Sequence, residues 1–225
     1  MKFNITHFKE IDSTNAYALQ NASDLTDFSV ICAEQQSAGR GRKGRTWQSP
    51  ASGNLYFSLL LKSPELKFAE LSGIPQLMAL AVHQTLELSG IKRSWIKWPN
   101  DVLIDDKKIC GVLCESRLRG AQLEALVIGV GLNINSSLEQ LSAIDKPATS
   151  VIVESGDEEA FSPEEILHVI LMKFKALYST WLNTDKRGEL VEQWRQASRL
   201  IGKAVTLEDD KSKIYGTVAD FSECG

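Results

Sequence analysis

The sequence predicts an α+β fold: a mixed, largely antiparallel sheet with helices on one side, followed by a small β module. Three observations predict it. Residues 94–135 read as four apolar strands separated by short turn-like segments, two of which look like hairpin connections. Helical periodicity is confined to the flanking segments, with proline and glycine at their ends. The composition is ordinary globular usage, with 225 residues of which 43% are apolar and 24% charged.

Taken in order, residues 14–21 (TNAYALQN) read as a short helix with Ser13 or Thr14 placed to cap it. Residues 29–34 form a short apolar strand, and residues 35–52 are a polar, glycine-rich, basic loop. Residues 54–62 are a strong strand, buried at least on the face carrying Leu55, Phe57, Leu59 and Leu61. Pro75 in a first turn and Gly90 just past the end bracket the next helix. Strands follow over residues 94–98, 102–105, 109–116 and 123–135, the turns after the second and third lying at residues 105–108 and at Arg119-Gly120. Ser162-Pro163-Glu164-Glu165 is a capping box that opens a long amphipathic helix through Ile166, Ile170, Phe174, Leu177 and Trp181. A second helix covers about residues 188–198. Residues 202–220 then alternate around a Glu208-Asp209-Asp210 turn, which gives one hairpin. An isolated hairpin is marginal in water, so either the chain stops inside a larger module or the hairpin packs on the main domain. The expected division is residues 1–198 and residues 199–225.

Charge and cysteine usage exclude several classes. Net charge is 25 − 29 = −4, which argues against a general nucleic-acid or anionic-membrane binder. No apolar run approaches the roughly 18 residues of a membrane span, and no secretory segment opens the chain. Cys32, Cys110, Cys114 and Cys224 are too few and too irregular for a disulfide scaffold. Cys110 and Cys114 read as buried small apolar residues, and His7, His83 and His168 form no constellation. A cytoplasmic, reduced protein is expected.

Against that acidic background the segment Gly39-Arg40-Gly41-Arg42-Lys43-Gly44-Arg45 holds four cations, three glycines and no carboxylate. Glycines let a backbone approach a ligand closely, and arginines offer planar forks to phosphate and carboxylate oxygens. Such a loop suits a compact polyanion such as a nucleotide, and Trp47 behind it stacks on a base or closes the loop. In Ile96-Lys97-Trp98-Pro99-Asn100-Asp101, strand alternation puts Lys97 opposite Ile96 and Trp98. That lysine, beside Trp95 and Trp98, is placed to hold an anion in a dry pocket or to blunt a sheet edge. Residues 127–135 (VIGVGLNIN) are a strand whose two glycines mark a bulge, or a close approach by a ligand.

These segments, with Ile11-Asp12-Ser13-Thr14-Asn15, with Ala33-Glu34-Gln35-Gln36-Ser37-Ala38 and with Lys108-Ile109-Cys110-Gly111-Val112-Leu113, resemble the biotin–protein ligases in order and spacing over about residues 10–135. The resemblance implies a synthetase-type catalytic domain with a partial SH3-like module behind it. It implies that biotin and ATP form biotinyl-5′-adenylate, and that biotin then passes to one lysine of a biotin carboxyl carrier protein, such as the acetyl-CoA carboxylase subunit. Carried over by motif, Ser13, Thr14, Asn15, Gln36 and Gly111 look like the biotin-binding positions. Arg40, Gly41 and Arg42 look like the cover on biotin's carboxylate and the phosphates, and Lys97 like the lysine on the carboxylate and α-phosphate. Lys97, Arg42 and Arg40 are then the catalytic set. Arg45, Trp47, Asn100 and Asn133, with Arg42, are the candidates for the nucleotide side. Mg²⁺ is expected with ATP, bridging phosphates rather than sitting in a protein cage. Asp101 is a candidate to take the acceptor lysine's proton. Some members add an N-terminal helix-turn-helix, but here the IDSTN motif begins at Ile11, so DNA binding is not expected. A homodimer through an exposed sheet edge is an expectation from the family alone. A lipoate–protein ligase of the same fold and a silent biotin or nucleotide binder are the alternatives.

Overall fold

The computed structural model describes residues 2–62, 68–120, 122–208 and 212–222. Seven strands form one sheet in the order β1-β2-β3-β7-β6-β5-β4. They are β1 (Asn4–Ile11), β2 (Ser29–Gln36), β3 (Leu55–Leu61), β4 (Ser94–Lys97), β5 (Asp101–Ile104), β6 (Lys107–Arg119) and β7 (Gln122–Leu132). Only β1 and β2 run parallel; the remaining pairs are antiparallel. The mixed, mostly antiparallel sheet is therefore as expected, and the β5–β6 and β6–β7 hairpins turn at the anticipated residues. The edge strand β1 was not anticipated. It is exposed at five of its eight positions, Asn4, Thr6, His7, Lys9 and Glu10, so it lacks the apolar alternation by which a strand is recognised.

The helices correct the expectation of a one-sided cover. The seven residues of α1 (Thr14–Gln20) pack on one face of β2, β3, β7 and β6, where Ala18 and Ala22 meet Ile31, Leu60, Ala125 and Val127. The opposite face carries α2 (Ile74–Leu88), α5 (Pro163–Leu182) and α6 (Arg187–Ala197) over the main core. Alternation in β3 explains the split: Leu55, Phe57, Leu59 and Leu61 enter the main core, whereas Leu60 joins the α1 cluster. Both faces of β3 are covered, and all seven of its residues are buried. Helix α2 is buried nearly all round because it lies between the sheet and the α5–α6 pair. Ser162 caps α5 by accepting from the Glu165 N–H, with proline in the first turn. Two short helices, α3 (Leu138–Ser142) and α4 (Val151–Ser155), fill a segment that carried no sequence signal.

After α6 the chain forms a separate hairpin, β8 (Ala204–Glu208) with β9 (Lys213–Thr217). This two-stranded sheet is consistent with a part of an SH3-like module. Its side chains are largely exposed, Ile214 at 61% and Tyr215 at 76%. It is tied back by the Arg195–Asp220 ion pair at 2.8 Å and by Phe221 against Trp194. The Asp209-Asp210 part of the expected turn, and Cys224, lie outside the described residues.

Candidate active site

The site is built on the face that α1 leaves partly open. Strand register lines up three rows across β3, β7 and β6: Leu60–Val127–Glu115, Ser58–Gly129–Leu113 and Tyr56–Gly131–Gly111. The first row lies under α1. The second and third have glycine at their centre, and what rests on those glycines defines the site. A Cβ at Gly129 would collide with the side-chain amide of Asn15, and one at Gly131 with the indole of Trp47. Trp47 also covers Gly111, where a Cβ would stand 3.1 Å from its ring. Glycine is thus required for close approach by the protein's own side chains, Asn15 from α1 and Trp47 from the basic loop.

A continuous chain of polar contacts runs through this layer. Gln36 Oε1 accepts from the backbone N–H and the hydroxyl of Thr14, at 2.9 and 3.2 Å. The Ser58 hydroxyl lies 2.8 Å from Thr14 Oγ1 and 2.5 Å from Asn15 Oδ1. Asn15 Nδ2 donates to Glu115 Oε2 at 2.9 Å, and Glu115 Oε1 pairs with Arg40 at 2.8 Å. At the other end Gln36 Nε2 donates to Ser49 Oγ at 2.8 Å, and Ser49 donates to the Trp47 carbonyl at 3.2 Å. Ser13 caps α1, accepting from the Ala16 N–H, which turns Thr14 and Asn15 into the layer. Ser49, Ser58 and Glu115 carried no signal in the sequence. Ser58 and Glu115 reach their partners only through the sheet, Glu115 lying 100 positions from Asn15, whereas Ser49 bonds locally within the loop and back to Gln36.

The basic segment is more ordered than an open loop. Arg40 and Thr46 form an antiparallel bridge, the Gly41 N–H donates to the Arg45 carbonyl at 2.7 Å, and the Trp47 N–H to that of Gly39 at 2.9 Å. The tip turns at Lys43 and Gly44, both at positive φ. Its cations are distributed. Arg40 sits on Glu115, Arg42 donates to Asn100 Oδ1 at 3.0 Å, and Lys43 donates to the Glu208 carbonyl at 3.1 Å. Among the described residues Arg45 and Lys97 make no ion pair or side-chain hydrogen bond. Asn100 is an anchored acceptor, since its amide donates to the Val112 carbonyl at 2.5 Å and the Val112 N–H donates to its carbonyl at 2.9 Å.

Other candidates take different places. Lys97 ends β4 exposed, opposite Asp101 in register. The dry pocket between Trp95 and Trp98 does not form, because Trp95 donates its indole N–H to the Asp105 carbonyl and Trp98 is itself exposed. Asp101 pairs at 2.7 Å with Lys108, whose ammonium lies 5.1 Å from the Trp47 ring centroid. Asn133 is buried, and its amide donates to the Thr149 carbonyl at 3.0 Å. Burial holds the Cys110 thiol well above its ordinary range, and burial followed by the Glu115 charge does the same for Cys114, so neither is a nucleophile at neutral pH. Burial also raises the Tyr56 phenol. Among the described residues no group of three or more His, Cys, Asp and Glu gathers to hold a metal ion, and no helix is long and apolar enough to cross a membrane.

The chain is similar to several known proteins. A biotin–[acetyl-CoA-carboxylase] ligase of Paracoccus denitrificans is 32% identical over 219 residues, covering 95% of this chain and 89% of its own length. The bifunctional ligase/repressor BirA of Escherichia coli is 36% identical over 206 residues, 92% of this chain and 63% of its own. A biotin protein ligase from Aquifex aeolicus, solved in complex with biotin and ATP, superposes with a TM-score of 0.84 at 30% identity, covering 98% of this chain and 88% of that one. The pattern of the biotin/lipoate A/B protein ligase family matches residues 7–133, the stretch that contains α1, the basic loop, the glycine rows and Lys97. The chain belongs to the biotin/lipoate A/B protein ligase family.

Proposed function

We propose that this protein is an ATP-dependent biotin–protein ligase that forms biotinyl-5′-adenylate and transfers the biotinyl group to a lysine of a biotin carboxyl carrier protein. The observation that carries this reading is the convergence of three separate motifs on one face. The basic flap folds over the glycine rows, lies on the polar layer of Thr14, Asn15 and Gln36, and is fastened to the Lys97-bearing turn by Arg42 and Asn100. The likeness to a ligase solved with biotin and ATP supports the choice of substrates.

In the first step a biotin carboxylate oxygen attacks the α-phosphorus of ATP; a mixed anhydride forms and pyrophosphate leaves. Two anions must meet, and charge grows on the α-phosphate oxygens. Fixed cations offset that charge, and one well-placed donor contributes about 3–4 kcal/mol by analogy with oxyanion holes. Lys97 and Arg45, which have no protein partner among the described residues, are the cations most available for it. Arg42 is presented by Asn100, and Arg40 by Glu115. Mg²⁺ would travel on the nucleotide phosphates and moderate their charge. In the second step the neutral amine of the carrier lysine attacks the acyl carbon and AMP leaves. Asp101, the candidate to take the proton of that amine, is engaged by Lys108 at 2.7 Å. Water must be kept from the adenylate between the steps, and the flap, seated by Trp47, supplies the cover.

The test is biotin-dependent exchange of pyrophosphate into ATP, with lipoate run beside biotin. Exchange with biotin alone is expected, and Lys97→Ala is expected to lower it about 100-fold, the loss of one such donor, with the melting temperature unchanged. Exchange with lipoate alone would reassign the substrate, and exchange with neither would leave a binder.

A further inference from the structure

Arg40 is already engaged before any substrate arrives, and its partner is held by the protein frame. Glu115 uses its two oxygens differently: Oε1 pairs with Arg40 of the flap at 2.8 Å, and Oε2 accepts from Asn15 of α1 at 2.9 Å. Asn15 cannot follow the flap. It is buried, its Oδ1 lies against the Ser58 hydroxyl, and its Nδ2 also reaches the Leu113 carbonyl at 3.3 Å. The Glu115 carboxylate is therefore pinned on the sheet side, 22% exposed, while the Arg40 side chain is 46% exposed and has Glu115 as its one ion-pair partner among the described residues.

We propose that Glu115 is the resting counter-ion of Arg40, and that the anionic group of the substrate captures Arg40 by exchange for the Glu115 carboxylate. The proposal rests on the reading above, in which Arg40 meets an acyl carboxylate and then an acyl phosphate. Like replaces like: a mobile carboxylate takes the guanidinium from a fixed one. Arg40 is never left as an unpaired cation in a half-closed site, and Glu115 keeps its Asn15 hydrogen bond throughout. The exchange has a cost to affinity, because the incoming anion must compete with a group that is always present. Glu115 acts through Arg40 and is a positioning residue.

Glu115→Gln separates the charge from the shape, since glutamine still offers an oxygen to the Asn15 amide. It is expected to lower the KM for biotin about three- to fivefold, the scale of an exposed ion pair, without a matching rise in kcat. The difference should vanish near 1 M salt, where charges are screened within about 3 Å. A residue with a merely structural role would raise KM or lower both parameters. Glu115→Ala, which also abandons Asn15, is expected to raise KM. Limited trypsin digestion without ligand reads the counter-ion separately, and faster cutting within residues 40–45 is expected in Glu115→Gln than in wild type. An active wild type with an unchanged or raised KM in Glu115→Gln overturns the exchange alone, as does cutting at equal rates. A wild type unable to make biotinyl-5′-adenylate overturns the functional reading and the exchange together.

Discussion

One face of the seven-stranded sheet is covered by α2, α5 and α6, the other by the seven residues of α1. The strands between them are the same strands, so the difference lies in which alternate residues point each way. Toward the three helices β7 sends Leu126, Ile128, Val130 and Leu132; toward α1 and the flap it sends Ala125, Val127, Gly129 and Gly131. Side-chain volume falls along that second face as the helix cover ends, and the space is taken by Asn15, Trp47 and a hydrogen-bonded layer. The large apolar core lies on one side of the sheet, and the proposed site on the other.

If that division holds, substitutions on the two faces fail in different ways. Phe174, fully buried and stacked on Tyr178 at 5.6 Å, should show the largest effect. Phe174→Ala is expected to cost about 3–5 kcal/mol of stability, read as a lower urea midpoint, with the KM for biotin unchanged while the protein remains folded. Next is Ser58, whose hydroxyl serves Thr14 and Asn15. Ser58→Ala leaves two buried polar groups short of a partner and is expected to cost about 1–3 kcal/mol, but here with a raised KM for biotin. An unchanged KM would break the claim that the layer positions the site. The smallest effect belongs to His83 on α2, whose Nδ1 lies 2.8 Å from Ser94 Oγ. Its pKa is lowered from 6.5, chiefly by burial, with the Glu87 charge opposing. The unfolded chain therefore takes up this proton first. Stability is fully present above about pH 6.5 and declines as pH falls below it. His83→Gln should flatten that part of the melting-temperature profile without altering the reaction.

The helix-covered face was largely legible in the sequence, because its signals are local. Pro75, Gly90 and the Ser162-Pro163 start mark helix ends within a turn of where they occur, and the stripe from Ile166 to Trp181 is the buried face of α5. The motif residues of the other face were legible as a set, but their partners were not. Nothing near Glu115 in the sequence announces Arg40, and Ser58 stands within an apolar strand like any small residue. Those contacts exist only after β3, β7 and β6 have come into register, which a one-dimensional pattern does not carry. The placing of helices on one side failed for a related reason. Helix α1 fully buries only Thr14, Asn15 and Ala18, so its amphipathic signal is weak. Edge strand β1 reads as polar because neither of its faces is fully covered.

The flap is fixed unevenly, heavily at its base and lightly at its tip. Trp47 wedges the base against two glycines, while the tip hangs on Arg40–Glu115, Arg42–Asn100 and Lys43 against the Glu208 carbonyl. An exposed ion pair such as Arg40–Glu115 contributes less than about 1 kcal/mol, and the other two contacts are single hydrogen bonds to neutral oxygens. The ladder inside the flap ties Gly39 to Trp47, Arg40 to Thr46 and Gly41 to Arg45, so a tip freed of these three contacts would still be one piece. Ionic strength weakens the charged Arg40–Glu115 contact and leaves the indole wedge alone, so salt acts on one end of the flap and not on the other.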